Sequence, residues 1–126
     1  MSDGIHSYKD LIAWQKAFTL GLSLYAFSTR FPDHERFGLT TTIRRTALLV
    51  ARLIAEGYGK HNAQAYVQLL RNARSATYDI DTQLAFSVGL GYAGESECRP
   101  LIEQTAECGK VISGLIRSLD GASPNA

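Results

Sequence analysis

The feature that most constrains this chain is a helical periodicity that repeats in four long segments separated by short joints. Apolar side chains recur at intervals of three and four residues, the spacing that places them on one face of an α-helix. The segments span about residues 8–29, 37–56, 62–88 and 95–119. Joints this short force successive long helices to run antiparallel. The sequence therefore predicts an all-α fold, an antiparallel up-down-up-down four-helix bundle, as a single domain over residues 1–126.

Local signals mark the ends of these segments. Ser7 and Asp10 resemble a capping box at the first segment, and Asn62 is a suitable N-cap for the third. Pro100 lies near the start of the fourth segment, and proline beyond the first turn of a helix costs about 3 kcal/mol. The regular part of that helix therefore begins near Glu97, or the helix is kinked at Pro100.

The periodicity also predicts which side chains face the core. In the first segment the stripe consists of large side chains, and in the second it consists of smaller aliphatic ones. The two stripes are Leu11, Trp14, Phe18, Leu22 and Tyr25, and Ile43, Ala47, Val50 and Ile54.

The second segment is apolar over more of its circumference than its own bundle needs. Leu49 and Leu53 form a second stripe, and Leu48 lies apart from both stripes. A helix in a four-helix bundle packs on two neighbours and leaves an outer face to water, so this excess predicts burial by another subunit. Leu48, Leu49 and Leu53 are therefore candidates for a homo-oligomer interface.

Targeting and membrane segments are not expected. The N-terminus lacks the basic start and apolar run of a signal peptide. The longest mainly apolar stretch, residues 47–55, is interrupted by Arg52 and is far shorter than the ~20 residues that cross a bilayer. We expect a soluble cytoplasmic protein without membrane contact.

Catalytic and metal-binding patterns are also lacking in the sequence. Cys98 and Cys108 are ten residues apart in one predicted helix, which separates them by about 15 Å and predicts two buried thiols rather than a disulfide. The three histidines have no metal-ligand spacing with these cysteines. Because no hydrolase elbow or phosphate loop occurs, we expect no catalytic residue, no metal and no cofactor, and we predict that the protein is not an enzyme.

Charge is distributed unevenly although the formal net charge is only +1. Residues 36–74 contain seven Arg or Lys residues and one acidic residue, whereas residues 75–126 contain three basic and seven acidic residues. Arginines on adjacent helices are suited to contact phosphates, and an exposed tyrosine is suited to stack on a base. The candidate nucleic-acid-binding residues are Arg45, Arg52, Lys60, Arg71, Arg74 and Tyr78.

Structural roles compete with nucleic-acid binding for several of these arginines. Arg71 or Arg74 would be neutralised by pairing with acidic residues of the fourth helix or of another subunit, or would simply be solvated. For Arg44 we favour a structural ion pair. Its candidate partners are Glu56, Asp79 and Asp81.

Several sequence blocks together resemble one bacterial family. The blocks are DLIAWQKA (10–17), FP (31–32), FGLT (37–40), IRRTA (43–47), IAEGYG (54–59), DTQL (81–84) and LIRSL (115–119). Their order and spacing are similar to those of the four-helix-bundle proteins encoded by intervening sequences in large-subunit ribosomal RNA genes. Relatives of that family include the accessory variability determinant of diversity-generating retroelements. The segment LVARL (49–53) departs from the family pattern, which has a proline and polar residues there.

The resemblance implies a non-catalytic, ring-like homo-oligomer, which is a pentamer in characterised relatives. For the retroelement branch it also implies a basic surface that engages nucleic acid and a reverse transcriptase as partner. Our first hypothesis is therefore an oligomeric adaptor that contacts RNA or DNA backbones through its arginines. The second is a protein-only interaction module whose arginines pair with acidic surfaces of its own subunits or of another protein partner.

Overall fold

The computed structural model describes residues 4–121 and contains four long helices in the predicted order. These are α1 (Ile12–Ser28), α2 (Leu39–Tyr58), α3 (Ala63–Gly89) and α4 (Glu95–Gly121). Each helix packs on the next in sequence, and α4 packs back on α1, so that the four surround one core. Within residues 4–121 no strand occurs. The predicted all-α antiparallel bundle is confirmed.

The first helix begins later than the sequence pattern predicts. Ser7 and Asp10 form the predicted capping box, but the box closes a separate 3-10 turn at Tyr8–Asp10. Leu11 then adopts an extended conformation, with φ −73° and ψ 131°, and so separates this turn from α1. The helical periodicity of residues 8–11 therefore does not correspond to α-helix.

The caps of the last two helices follow the sequence more closely. The Asn62 side chain accepts a hydrogen bond of 2.8 Å from the backbone N–H of Ala65, which confirms it as the N-cap of α3. The Glu97 carboxylate accepts one of 2.7 Å from the backbone N–H of Gly94, just before α4. The helix α4 starts at Glu95, two residues before the predicted start near Glu97, and it includes Pro100.

The core-facing side of α1 differs from the predicted stripe. Phe18, Leu22 and Tyr25 are 47%, 57% and 37% exposed, and Trp14 is only partly buried. The core face of α1 begins with two small side chains and continues with three large ones, whereas Phe18, Leu22 and Tyr25 lie on its outer side. The residues of α1 that enter the core are Ala13, Ala17, Leu20, Leu24 and Phe27.

The second helix presents its predicted stripe to the core. Ile43, Ala47, Val50 and Ile54 are all buried. Leu53 is buried as well, with 8% of its surface exposed. Its inclusion among the candidate oligomer contacts is therefore corrected, because a side chain packed inside its own subunit has little surface to offer another copy.

One end of the bundle is fastened by contacts between the two joints that meet there. The Tyr92 hydroxyl, in the joint between α3 and α4, donates a hydrogen bond of 2.6 Å to Glu35 Oε2 in the joint between α1 and α2. Arg30 at the end of α1 pairs with Glu97 of α4 at 2.6 Å. Glu35 Oε1 also accepts a bond of 2.8 Å from the backbone N–H of Leu39 and so caps α2. None of the helices described is long and apolar enough to span a membrane.

Candidate nucleic-acid interface

A groove with a volume of about 480 Å³ lies between α3 and α4. Three cationic side chains line it, Arg74 from α3 and Lys110 and Arg117 from α4, together with one carboxylate, Asp81. Tyr78 also lines the groove and is 68% exposed. The remaining lining residues are Thr77, Ile102, Thr105, Ala106, Gly109 and Ser113. We call this the α3–α4 groove.

Two polar contacts connect the two helices beside this groove. Arg74 Nη1 donates a hydrogen bond of 3.3 Å to Ser113 Oγ. Nearer the end of α4, Arg71 Nη2 lies 3.6 Å from Asp120 Oδ2, and both side chains are about half exposed. Because the helices are antiparallel, Arg74 and Arg117 mark one end of the groove. Asp81 lies toward the other end, almost two turns further along α3.

The two predicted arginines of α3 differ in their surroundings, since one lines the groove and the other forms an ion pair. Arg74 and Tyr78 line the α3–α4 groove. Arg71 pairs with Asp120 of the fourth helix, which confirms one of the alternatives drawn from the sequence. Its charge is thereby partly offset, although an exposed pair of this kind contributes little stability.

The predicted arginine strip across α2 and α3 is not continuous. Arg45 and Arg52 border a shallow depression on α2 together with Leu48 and Leu49. The side of α3 that meets α2 is marked by Gln83, whose amide donates a hydrogen bond of 3.0 Å to Thr46.

Arg74 is nine residues from Gln83 and therefore lies about half a turn away around α3. The α3 helix therefore separates the two sets of cations. Arg45 and Arg52 are on the side of α3 that meets α2, and the cations of the α3–α4 groove are on the other side. Lys60 is exposed in the joint between α2 and α3 and belongs to neither set.

Two groove cations were missed in the sequence analysis, Lys110 and Arg117. They lie in the chain half with excess acidic residues, so the regional charge balance concealed them. Their spacing of seven residues puts both on one face of α4, with Ser113 between them. Helical projection of single charges, rather than the net charge of a region, would have found them.

The predicted ion pair of Arg44 is wrong. Its Nε donates a hydrogen bond of 2.7 Å to Ser28 Oγ, and its Nη2 donates one of 3.3 Å to the carbonyl oxygen of Tyr25. Arg44 lies on the α1 side of α2, where the last turn of α1 provides oxygen acceptors. Of the proposed partners, Glu56 pairs with Arg52 at 3.2 Å. Asp79 and Asp81 form no ion pair with another residue in the described range.

A second surface feature is the exposed apolar face of α1. We define the outer α1 stripe as Trp14, Phe18, Leu22 and Tyr25. The rings of Trp14 and Phe18 are stacked, with centroids 5.1 Å apart. Lys16 is the only charged residue of α1. A helix whose exposed side is this apolar is typical of one that is covered by another chain.

The thiols lie away from both surfaces. Cys98 and Cys108 are free and fully buried, as predicted. Burial raises the pKa of the Cys108 thiol to about 11 and raises that of Cys98 as well. Across the described residues, no three His, Cys, Asp or Glu side chains are grouped so that they could hold a metal ion.

Comparison with known proteins identifies a family. No curated protein sequence matches the chain significantly. The model of one family does match, over a stretch that includes α1, α2, α3 and most of α4. That family is described as the 23S rRNA-intervening sequence protein, its model matches residues 9–114, and the chain therefore belongs to it.

Proposed function

We propose that this protein is a non-catalytic module that associates with copies of itself and binds RNA through the α3–α4 groove. The observation that carries the RNA part is the cationic lining of the groove, in which Arg74, Lys110 and Arg117 face a single carboxylate, Asp81. Phosphate oxygens are the ligands that such clustered guanidinium and ammonium groups favour. The family is named for the intervening sequence of 23S rRNA in which its members are encoded, and we take RNA as the nucleic acid of this proposal.

The acidic residues of α4 limit the proposed contact to the groove. Glu103 and Glu107 are exposed on α4, and Glu107 is one turn before Lys110. Neither carboxylate lines the groove, although Glu103 is seven residues before Lys110 and so lies on the same face of α4 as the cations. Like charges would repel an RNA strand placed over these carboxylates, so the backbone is expected to follow the edge shared by α3 and α4.

Titration of a fluorescent single-stranded RNA at two salt concentrations tests this proposal. Replacement of Lys110 and Arg117 by alanine should weaken binding about tenfold and reduce the slope of log affinity against log salt by about 1.4, for two lost phosphate contacts. The matched control is Arg45→Ala/Arg52→Ala, which removes two cations from α2 and should bind like the wild type. The groove would be excluded as the RNA site if all three proteins bound the RNA with equal affinity, or if the affinity did not change with salt concentration.

The self-association part of the proposal is supported by the outer α1 stripe. Phe18 and Leu22 are about half exposed on a helix with one charged residue, so association would remove a large apolar surface from water. We expect a ring of copies, with the pentamer as the arrangement implied by the resemblance. A ring would repeat the modest groove several times and raise the avidity for a long RNA.

Light scattering at micromolar concentration tests the association. The wild type should have several times the 13.8 kDa mass of one chain, with five times that mass for a pentamer. Phe18→Glu/Leu22→Glu should be monomeric, whereas the control Phe86→Glu, which charges an exposed aromatic position on α3, should assemble normally. Leu48→Glu distinguishes the α2 surface, because loss of assembly in that variant alone would assign the interface to α2. A monomeric wild type would refute the association.

A protein-only interaction module is the second candidate, and the Arg71–Asp120 and Arg52–Glu56 pairs favour it. In that case the arginines serve contacts with carboxylates of the same chain or of a partner. Assembly without any RNA binding at low salt would support this candidate over the first.

We also propose a cytoplasmic location and a relation to the retroelement determinant, with a reverse transcriptase as partner. Genes next to this one provide the test. A reverse transcriptase gene beside it would support this relation. A ribosomal RNA gene around it would instead place the protein among those encoded by intervening sequences.

A further inference from the structure

We infer that the α3–α4 groove binds single-stranded RNA in preference to duplex, by seating one unpaired base between Tyr78, Asp81 and Ile102 while the cations hold the adjoining phosphate. This inference rests on the proposed function and adds to it the class of RNA and the end of the groove that receives the base.

The groove differs in chemistry from one end to the other. Arg74 and Arg117 lie at the end fixed by the contact between Arg74 and Ser113. Ile102 lies two turns of α4 before Lys110, about 12 Å away along the helix axis. Phosphates are therefore expected at the Arg74 end, and an apolar ring is expected beside Ile102.

The carboxylate of Asp81 argues against a binding mode in which only phosphates occupy the groove. A strand whose backbone followed the whole groove would bring phosphate charge close to this side chain. A base, in contrast, has amino or imino N–H groups that donate hydrogen bonds to a carboxylate. In a duplex these groups are already paired with the opposite strand, whereas an unpaired base offers them freely.

Tyr78 provides the stacking surface. Its ring is 68% exposed at the rim of the groove, and it has no aromatic partner among the described residues. Tyr78 and Asp81 are three residues apart on α3, so that both reach the same part of the groove. Unpaired bases in RNA complexes are typically stacked on an aromatic ring and hydrogen-bonded along one edge. The volume of about 480 Å³ is that of a small-molecule site.

The other surface depressions lack this combination. The depression on α2 is lined by Arg45, Arg52 and apolar or small side chains, without an aromatic ring or a carboxylate. The depression at the start of α3 is crossed by the pair between Arg71 and Asp120. The combination of cations, carboxylate and exposed ring is thus specific to the α3–α4 groove among these three.

The test compares three labelled probes by fluorescence anisotropy. They are a ten-nucleotide single-stranded RNA, the blunt duplex of the same sequence, and a strand of equal length whose sugars carry no bases. Wild-type protein should bind the single strand about tenfold more tightly than either other probe. Tyr78→Leu should lose about that factor for the single strand only, because it removes the stacking surface and leaves the charges.

Two controls separate this inference from the proposed function. Phe86→Leu alters an exposed aromatic residue of α3 outside the groove, so it should bind all three probes like the wild type. The slope of affinity against salt should be unchanged in Tyr78→Leu and reduced in Lys110→Ala/Arg117→Ala. Circular dichroism checks that each variant is folded.

The outcomes are distinct. Equal affinity for the three probes, with the salt dependence and the effect of Lys110→Ala/Arg117→Ala retained, would overturn the base site and leave the RNA function standing. Tighter binding to the duplex would also overturn the base site. Absence of binding to every probe at low salt would overturn both proposals.

Discussion

The Arg44 guanidinium of α2 donates a hydrogen bond of 2.7 Å to the hydroxyl of Ser28, the last residue of α1. A second guanidinium nitrogen lies 3.3 Å from the carbonyl oxygen of Tyr25 and donates to it, and the guanidinium carbon lies 5.0 Å from the centroid of the Tyr25 ring. The Tyr25 carbonyl also accepts a hydrogen bond of 3.0 Å from the Ser28 hydroxyl, and carbonyls in the last turn of a helix carry partial negative charge. Arg44 therefore joins α2 to the end of α1 without an acidic residue.

Replacement of Arg44 by alanine should destabilise the bundle. A hydrogen bond from a charged donor contributes about 1.5–3 kcal/mol, and the longer, exposed bond to Tyr25 adds little to the bond to Ser28, so we expect the free energy of unfolding to fall by about 2 kcal/mol. Arg44→Lys should recover little of this, because one ammonium group does not reproduce the planar arrangement of donors. Urea denaturation measures the loss. Arg45→Ala removes the neighbouring, exposed arginine as a control, and an equal loss in both variants would contradict the role of Arg44.

Gly57 should not tolerate a side chain. It lies in the last turn of α2, where a Cβ atom would be 2.9 Å from Cδ1 of Tyr66 and 3.4 Å from the Tyr66 carbonyl oxygen. Such overpacking typically costs about 1–3 kcal/mol, and Gly57→Ala should lower the unfolding free energy by that amount.

Gly89 is the matched position, because it ends α3 and a Cβ there would meet no atom within 4 Å. Gly89→Ala should be neutral or should stabilise the protein by up to about 1 kcal/mol. If thermal denaturation gave both variants the same midpoint, the close contact between α2 and α3 at Gly57 would be wrong.

The Glu35 carboxylate should make the stability depend on pH in the acidic range. The backbone N–H of Leu39 and then the Tyr92 hydroxyl lower its pKa below the ordinary value of 4.5. Its stabilising effect is therefore complete above about pH 4.5 and is lost as the pH falls through the lower pKa of the folded state. Glu35→Gln should be less stable than the wild type at pH 6, and the difference should shrink below pH 4.5.

Chemical denaturation at pH 6 and at pH 3 measures this difference. Glu103→Gln removes one exposed carboxylate as a control. The pKa values of the Asp10 and Glu97 carboxyl groups are also lowered. The wild type and Glu35→Gln should therefore both lose some stability in acid. A difference between Glu35→Gln and wild type that is as large at pH 3 as at pH 6 would contradict this prediction.

Neither cysteine should react with thiol reagents in the folded protein. Both side chains are fully buried, and desolvation raises the pKa of Cys108 to about 11, so the reactive thiolate is scarce at pH 8. Labelling with a chromogenic disulfide should be slow and should reach two thiols per chain only in denaturant. Ser96→Cys adds an exposed thiol near the start of α4 and should react at once. Rapid labelling of the unaltered native protein would show that α4 opens locally.

The sequence predicted the helices better than it predicted the direction that each helix faces. In α2 the predicted stripe of Ile43, Ala47, Val50 and Ile54 is buried, although Leu53, which was assigned to a second stripe, enters the core as well. In α1 the only charge is Lys16, so apolar residues occur on nearly every side. The stripe that contains Trp14 and Phe18 was the more conspicuous one, although the buried face includes the small residues Ala13 and Ala17 as well as large ones such as Leu20.

The candidate site was predicted only in part for a similar reason. Arg74 and Tyr78 were found because they are close together on one helix. Lys110 and Arg117 come from the helix that packs beside them, in a part of the chain with excess acidic residues. The sequence does not state which helix edges adjoin, and the net charge of a region does not show which of its charged residues share a groove with those of another helix.

The sequence by itself determined four helices, short joints and hence an antiparallel bundle, because periodicity and chain length are properties of each segment alone. Only the tertiary structure decided which face of α1 is buried, which oxygen atoms Arg44 contacts, and which cations share a groove. These depend on the rotation and register of each helix against its neighbours. Packing sets both by fitting side chains from separate segments around one core.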